Sequence, residues 1–171
     1  MDVSSNLSNL NNSIDFVLDK SPSYTSLHNH SHYSNIRLRD SINTIRDLVL
    51  GGSEKGLNGI AITDHEILSG HYDMLNLQKK YVDSNRIDRD YVVILGNEIY
   101  LVDDLEKVKE EGSFYHFILL SKNKTGEIAL RKLTNQSWDN MFVRGGMERV
   151  PITKEQLQTI MKDYNGKGNV V

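Results

Sequence analysis

His28, His30 and His32 alternate directly after a short extended run, Tyr24-Thr25-Ser26-Leu27. In extended backbone, alternate residues share a face, so His28 and His30 can aim at one ion. His32 either shares that face or leaves it where the chain turns at Ser31. Thr63-Asp64-His65-Glu66 follows the apolar run Gly59-Ile60-Ala61-Ile62, and Gly96-Asn97-Glu98 follows Tyr91-Val92-Val93-Ile94-Leu95. Parallel sheets carry functional groups at the carboxyl ends of their strands, which places His65 at the same edge as His28 and His30. Glu98 there is an oxygen ligand, a bridge between two ions or a loop acid. Asp40 stands before a helical pattern and suits an N-cap as well as a ligand. Asp64 reads as a cap of the following helix or as part of the site. His116 lies at the start rather than the end of a fourth strand, which fits a satisfied core histidine as well as a ligand.

Each of these residues alone has an ordinary structural explanation; their recurrence near strand ends is what points to chemistry. Nitrogen and oxygen donors without sulfur suit zinc, manganese or iron. Several such ligands around more than one ion favour metal-activated water attacking a phosphoester, because cations offset the charge on both the attacking and the leaving oxygen. No G-x-S-x-G elbow, Walker loop or dinucleotide fingerprint competes with that reading.

The elements that must hold these residues follow from apolar spacing. Ile42, Ile45, Leu48 and Val49 recur at helical spacing up to Gly51-Gly52 or Gly56, and a second helix is expected near Tyr72 to Val82 with Met74, Leu75, Leu77 and Tyr81. Gly59 to Thr63 and Tyr91 to Leu95 are short apolar runs suited to strands buried on both faces. Ile99 to Val102 is a separate strand, Asp103 to Gly112 a charged connection, and Phe114 to Leu120 a further strand. Thr125 to Ser137 reads as a helix with Ile128, Leu130 and Leu133 inward. Thr153-Lys154-Glu155-Gln156 has capping-box spacing and opens a helix through Leu157, Ile160, Met161 and Tyr164, stopped by Gly166. Asn169-Val170-Val171 reads as the start of a strand left without a partner, as in a truncated piece. Strands alternating with helices imply an α/β fold with a mainly parallel sheet, open or barrel-like.

Composition bounds the rest. The 171 residues suffice for one domain, and Lys plus Arg at 20 against Asp plus Glu at 23 gives a net charge of −3. That balance excludes a binder gripping phosphate backbones by bulk charge. With no cysteine there is no disulfide scaffold, thiolate nucleophile or sulfur-ligated metal. Residues 1–23 form a Ser/Asn-rich extension, with an apolar patch at Ile14, Phe16, Val17 and Leu18 that makes one helical turn at most. No apolar run nears the ~20 residues of a membrane span and the start lacks a signal-peptide pattern, so a cytoplasmic protein without membrane contact is expected.

Leu27-His28-Asn29-His30-Ser31-His32-Tyr33-Ser34, Ile62-Thr63-Asp64-His65-Glu66 and Leu95-Gly96-Asn97-Glu98-Ile99-Tyr100 resemble the PHP domain (polymerase and histidinol phosphatase). More narrowly they resemble the version opening the alpha subunit of bacterial-type DNA polymerase III. Tyr33 to Ile42 and His116 to Asn123, with Gly126 and Leu133, are similar to its Gram-positive and phage branch. The resemblance runs from about Thr25 onward and implies a distorted barrel of seven βα units holding up to three metals. Residues 24–171 would be the amino-terminal part of such a domain. The later histidine and the terminal Asp-x-His pair of the family have no match, nor does the polymerase body.

Carried over residue by residue, the resemblance assigns His28, His30, Asp40, His65, Glu98 and, less directly, His116 as metal ligands, with Asp64 as ligand or orienting group. Glu98 matches the bridging carboxylate, and His32 is not counted. The implied function is DNA replication, either as a metal-dependent 3′-end proofreader or as a structural brace, with DNA and replisome proteins as partners through the polymerase body. A free-standing PHP phosphoesterase and a non-catalytic polymerase fragment are the alternatives.

Overall fold

The computed structural model describes residues 24–165 and 168–171. The expected N-terminal extension and the stop at Gly166 lie outside the described residues. After the two-residue strand β1 (Thr25–Ser26), the first histidines run into a 3-10 turn over His32–Ile36. Helix α1 (Ile45–Glu54) begins at Thr44, whose hydroxyl accepts from the Asp47 amide while the Asp47 carboxylate accepts from the Thr44 amide. That capping box takes the role that spacing offered to Asp40. Ile42 falls outside the helix and is 93% exposed. The helix runs through Gly51-Gly52, and the chain turns at Gly56, whose φ of 73° lies in the left-handed region that favours glycine.

Strand β2 (Gly59–Ile62) is buried at every position, as a central parallel strand should be. Helix α2 (Gly70–Asp83) turns Met74 and Tyr81 inward, whereas Tyr72 and Leu75 face solvent. Strand β3 (Val92–Val102) is one strand of 11 residues where two were expected. Gly96-Asn97 reads as a break in sequence, but a Cβ at Gly96 would lie 2.7 Å from the Leu119 carbonyl oxygen. The glycine lets the neighbouring strand approach and leaves β3 unbroken.

The charged connection holds a short helix, α3 (Leu105–Glu111), opened by Asp104, whose carboxylate accepts from the Glu106 and Lys107 amides. Only Val108 in it is buried, so no apolar period announces it. Strand β4 (Tyr115–Leu120) and helix α4 (Lys124–Asp139) follow, then the hairpin β5 (Phe142–Arg144) and β6 (Met147–Arg149), strand β7 (Pro151–Thr153) and helix α5 (Lys154–Asn165). Helix α5 opens with the expected capping box: the Thr153 amide donates to Gln156 Oε1 and the Gln156 amide to Thr153 Oγ1.

The main sheet has the order β1-β2-β3-β4, with β7 also on β3. The pairings β1–β2, β2–β3 and β3–β7 are parallel, but β4 runs antiparallel to β3. Tyr100 pairs with His116 of β4 and with Pro151 of β7, so these strands flank β3 on opposite edges. The last residues are paired after all: Val171 and Leu120 exchange both backbone hydrogen bonds, at 2.7 and 2.9 Å. The mixed α/β architecture is as expected, and among the described residues the sheet does not close.

Two apolar clusters form the core among the described residues. One joins α1, α2 and β2 through Ile45, Leu48, Val49, Ile60, Ile62, Met74 and Tyr81, with Leu95 of β3. The other joins Ile99 and Leu101 of β3 to Leu119, Leu130, Leu133 and Ile152. Among the described residues no helix is long and apolar enough to cross a membrane.

Candidate metal centre

The histidine loop is fastened to the end of β2 before any ligand is considered. Asn29, between the two outward histidines, donates from its side chain to the carbonyls of Ala61 and Ser26, and the Thr63 amide donates to the Asn29 carbonyl oxygen at 2.8 Å. The buried Asp64 carboxylate accepts from the Ser31 amide (2.6 Å), the Ser31 hydroxyl (2.7 Å) and the Ser34 hydroxyl (2.9 Å). Asp64 therefore orients this loop rather than facing the site, and it does not cap α2, whose N-cap position is Ser69. The Glu66 amide donates to the Glu98 carbonyl and the Glu98 amide to the Asp64 carbonyl, which sets His65 beside Glu98 across the sheet.

The four histidines among the expected ligands converge on Glu98, and Asp40 joins them through His65. His28 Nε2 lies 2.7 Å and His30 Nε2 3.1 Å from Glu98 Oε2. His116 Nδ1 contacts Glu98 Oε1, and His65 Nδ1 stands 3.7 Å from the same oxygen. His65 Nε2 reaches Asp40 Oδ2 at 2.8 Å. Two ligand groups result, His28-His30-Glu98 and His65-Glu98-His116, sharing the carboxylate. His116 arrives from the start of its strand because β4 is antiparallel: the start of β4 lies where the parallel strands end. Its side chain is half exposed, which excludes the core-histidine reading. His32 stays on the 3-10 turn, tilted against Tyr33 and apart from the cluster.

Burial would raise the Glu98 carboxyl, but hydrogen bonds from His30 and His116 and the charge of His65 hold it down at about 2. Burial would lower His30, yet the hydrogen bond to Glu98 and the nearby carboxylates leave it raised. At His65 burial wins and the ring is held below its usual value, in the neutral form that ligates metals. The donor set fits a divalent cation. His65 Nδ1 is buried without a hydrogen-bond partner, and the Nε2 atoms of His28 and His30 face each other at 3.0 Å. In their neutral forms these rings can turn ring-nitrogen lone pairs toward a cation seated beside Glu98.

Sequence reasoning missed a second layer behind the ligands. Arg37 Nε donates to Glu66 Oε2 at 3.2 Å, both side chains being almost wholly buried. Burial pushes the Glu66 carboxyl up to about 8 despite the guanidinium. Glu66 holds φ at 48°, and its carbonyl accepts from Trp138 Nε1 at 2.9 Å. Nothing in the spacing of residues 37, 66 and 138 signals that they meet. Tyr100, in register with His116, reads in sequence only as part of a strand, although its ring lies 6.0 Å from that of His65.

A family model described as PHP domain matches residues 26–169. The chain is 39% identical over 144 residues to "Probable DNA polymerase YorL" of Bacillus subtilis (strain 168), and equally to a DNA-directed DNA polymerase of Bacillus phage SPbeta. Each alignment covers 81% of this chain and 11% of the relative. It is 32% identical over 120 residues to the DNA polymerase III subunit alpha of Chlamydia pneumoniae, covering 68% of this chain and 9% of that one. The chain thus spans about a tenth of the length of these relatives.

Proposed function

The chain belongs to the PHP domain family, and from that premise we propose that it is the metal-dependent phosphodiesterase segment of a replicative DNA polymerase of the polymerase III alpha type. Its similarity to such polymerases supports the DNA substrate class. The observation that carries the reading is the convergence of His28, His30, His65, His116 and Asp40 around the buried Glu98. His28, His30 and Glu98 would hold one divalent ion and His65, Glu98 and His116 a second, with Asp40 closing the site on the His65 side.

A divalent ion supplies here a Lewis acid that makes water nucleophilic near neutral pH and offsets charge on the phosphate. The protein's own part is to set the charge state of Glu98 and His65 and to fix the ligands in place. Glu98 is ionised over the whole neutral range, His65 is held neutral by burial, and Asp64 with Ser31 and Ser34 stops the histidine loop from swinging away. No protein nucleophile is needed. Residues 24–171 constitute the PHP segment in this reading, preceded by a 23-residue extension. Its partners are DNA and other replication proteins, met chiefly through the remainder of such a polymerase.

The test is elemental analysis by plasma mass spectrometry of the purified chain beside a His28→Ala/His30→Ala variant. It is followed by cleavage of an oligonucleotide with a mismatched 3′ end in the presence of manganese. Near-stoichiometric zinc, manganese or iron that is lost in the variant, together with 3′-end hydrolysis, is expected. A wild-type chain that retains no metal and hydrolyses nothing with manganese supplied overturns the reading.

A further inference from the structure

Helix α3 and the β5–β6 hairpin enclose a second cleft, about 290 Å³, lined by Val108, Glu111, Phe114, Phe142, Arg144 and Arg149. It opens beside the metal centre. The Phe114 ring centroid is 5.8 Å from that of His116 and is stacked on Tyr100 at 4.2 Å, while Tyr100 lies 4.9 Å from His116. The Arg149 guanidinium sits over the Phe114 ring at 5.5 Å. A line of rings therefore runs from a candidate metal ligand to a cation. The hairpin is also tied to the centre: Arg37 Nη1 donates to the Glu148 carbonyl at 2.9 Å while Arg37 Nε reaches Glu66, the residue after His65.

The charges in this cleft are not spent on one another. Among the described residues neither Arg144 nor Arg149 forms an ion pair. Arg144 Nη1 lies 3.4 Å from the Val108 carbonyl and Arg149 Nη2 lies 3.9 Å from Met147 sulfur, both long contacts. Glu111, the acid of the lining, leans toward Lys107 at 3.8 Å. Two guanidinium forks with free donors beside Phe142 and the Phe114–Arg149 stack offer what one nucleotide unit needs. The phosphate takes the forks, and the base takes an aromatic face or a guanidinium plane. A base reaches such a stacking and guanidinium site once it is splayed out of its own stack, which favours single strands.

We propose that this cleft binds one nucleotide unit of a single-stranded nucleic acid and so leads the adjoining phosphodiester to the metal centre. The inference rests on the phosphodiesterase reading of that centre. Nothing in the −3 net charge opposes it, because the contact is two local guanidinium groups and not a bulk field.

The test is equilibrium binding of a fluorescein-labelled single-stranded oligo(dT) twelve-mer to the full chain, followed by anisotropy with EDTA present. Chelation keeps this readout independent of metal uptake, so a chain that takes up no metal fails the phosphodiesterase test while still answering this one. Arg149→Ala and Arg144→Ala are expected to weaken binding about tenfold each. They should also flatten the dependence of log affinity on log salt by about 0.7 per guanidinium removed. Arg46→Ala, at an exposed position of α1, is the reference and should bind as the wild type does. Arg149→Gln keeps the stem over Phe114, so it reports on the charge if Arg149→Ala melts early. Equal binding by these variants and the wild type overturns the proposal, as does the absence of measurable wild-type binding. Equal affinity for a blunt duplex, or displacement by dTMP as strong as by unlabelled oligo(dT), overturns the single-strand assignment.

Discussion

At the carboxyl ends of β1 and β2 and the middle of β3, ring nitrogens converge on one buried carboxylate within 4 Å. At the amino ends of the same strands lies a larger cleft, about 670 Å³, whose lining includes Thr25, Asn58, Asp88, Asp90 and Tyr91. Two of its contacts are local, Asp88 capping the Asp90 amide and the Val92 amide donating to the Asn58 carbonyl, and the Tyr91 hydroxyl is buried without a hydrogen-bond partner among the described residues. It contains no histidine, and its aspartates belong to neither ligand group. The contrast teaches that volume does not locate chemistry here. What separates the two ends is whether titratable groups have been withdrawn from water and pointed at one another.

If that contrast is right, damage at the metal end removes metal and spares the fold, and damage to the core does the reverse. Glu98→Ala is expected to abolish bound metal altogether, because both ligand groups share that carboxylate; stoichiometric metal in the variant, read by plasma mass spectrometry, breaks the comparison. Met74→Ala, at a fully buried position between α2 and β2, should lower unfolding free energy in urea by about 2–5 kcal/mol without changing metal per chain. Asp64→Asn should weaken metal affinity by about 10–100-fold in calorimetry, since it disturbs the brace and not a ligand. An unchanged affinity would mean that the loop is held by Asn29 alone.

The smallest effect concerns His71, buried with Nε2 donating to the Gly96 carbonyl at 2.9 Å and Nδ1 without a partner. Burial holds this ring below its ordinary value of 6.5, so below that pH the unfolded chain binds the extra proton and the folded chain resists it. Stability from this group is complete above pH 6.5 and declines as pH falls toward the folded value. His71→Gln should make the melting temperature less dependent on pH between about 7 and 5. An equally steep decline in the variant assigns the acid sensitivity elsewhere.

The candidate ligands are legible in the sequence in part, because local spacing shows which residues share a face and which follow an apolar run. For His28, His30, His65 and Glu98 spacing gives a shared sheet edge, and the family resemblance turns that into a ligand set. Spacing does not show strand direction, and that is why His116 looks misplaced until β4 is known to be antiparallel. Nor does it rank competing caps: Asp40 and Thr44 both precede α1, and the Thr44–Asp47 reciprocity decides for Thr44. The Arg37–Glu66 pair and the Tyr100–Phe114–Arg149 line are contacts between distant segments, made by the tertiary fold alone. The sequence shows two runs where one long strand exists, because Gly96 serves close approach as readily as it serves a turn.

That long strand has a dynamic consequence. β3 lends Leu95 to one apolar cluster and Ile99 and Leu101 to the other, and it is hydrogen-bonded to β2, β4 and β7. If either half of the molecule opens, β3 remains clamped by the other half. In amide hydrogen exchange, residues 94–101 should therefore reach solvent only through complete unfolding, while the two-stranded β5–β6 hairpin exchanges through local opening. Glu98 would then sit in the middle of the slowest-exchanging stretch, and the carboxylate shared by both ligand groups would be the last part of the site to loosen.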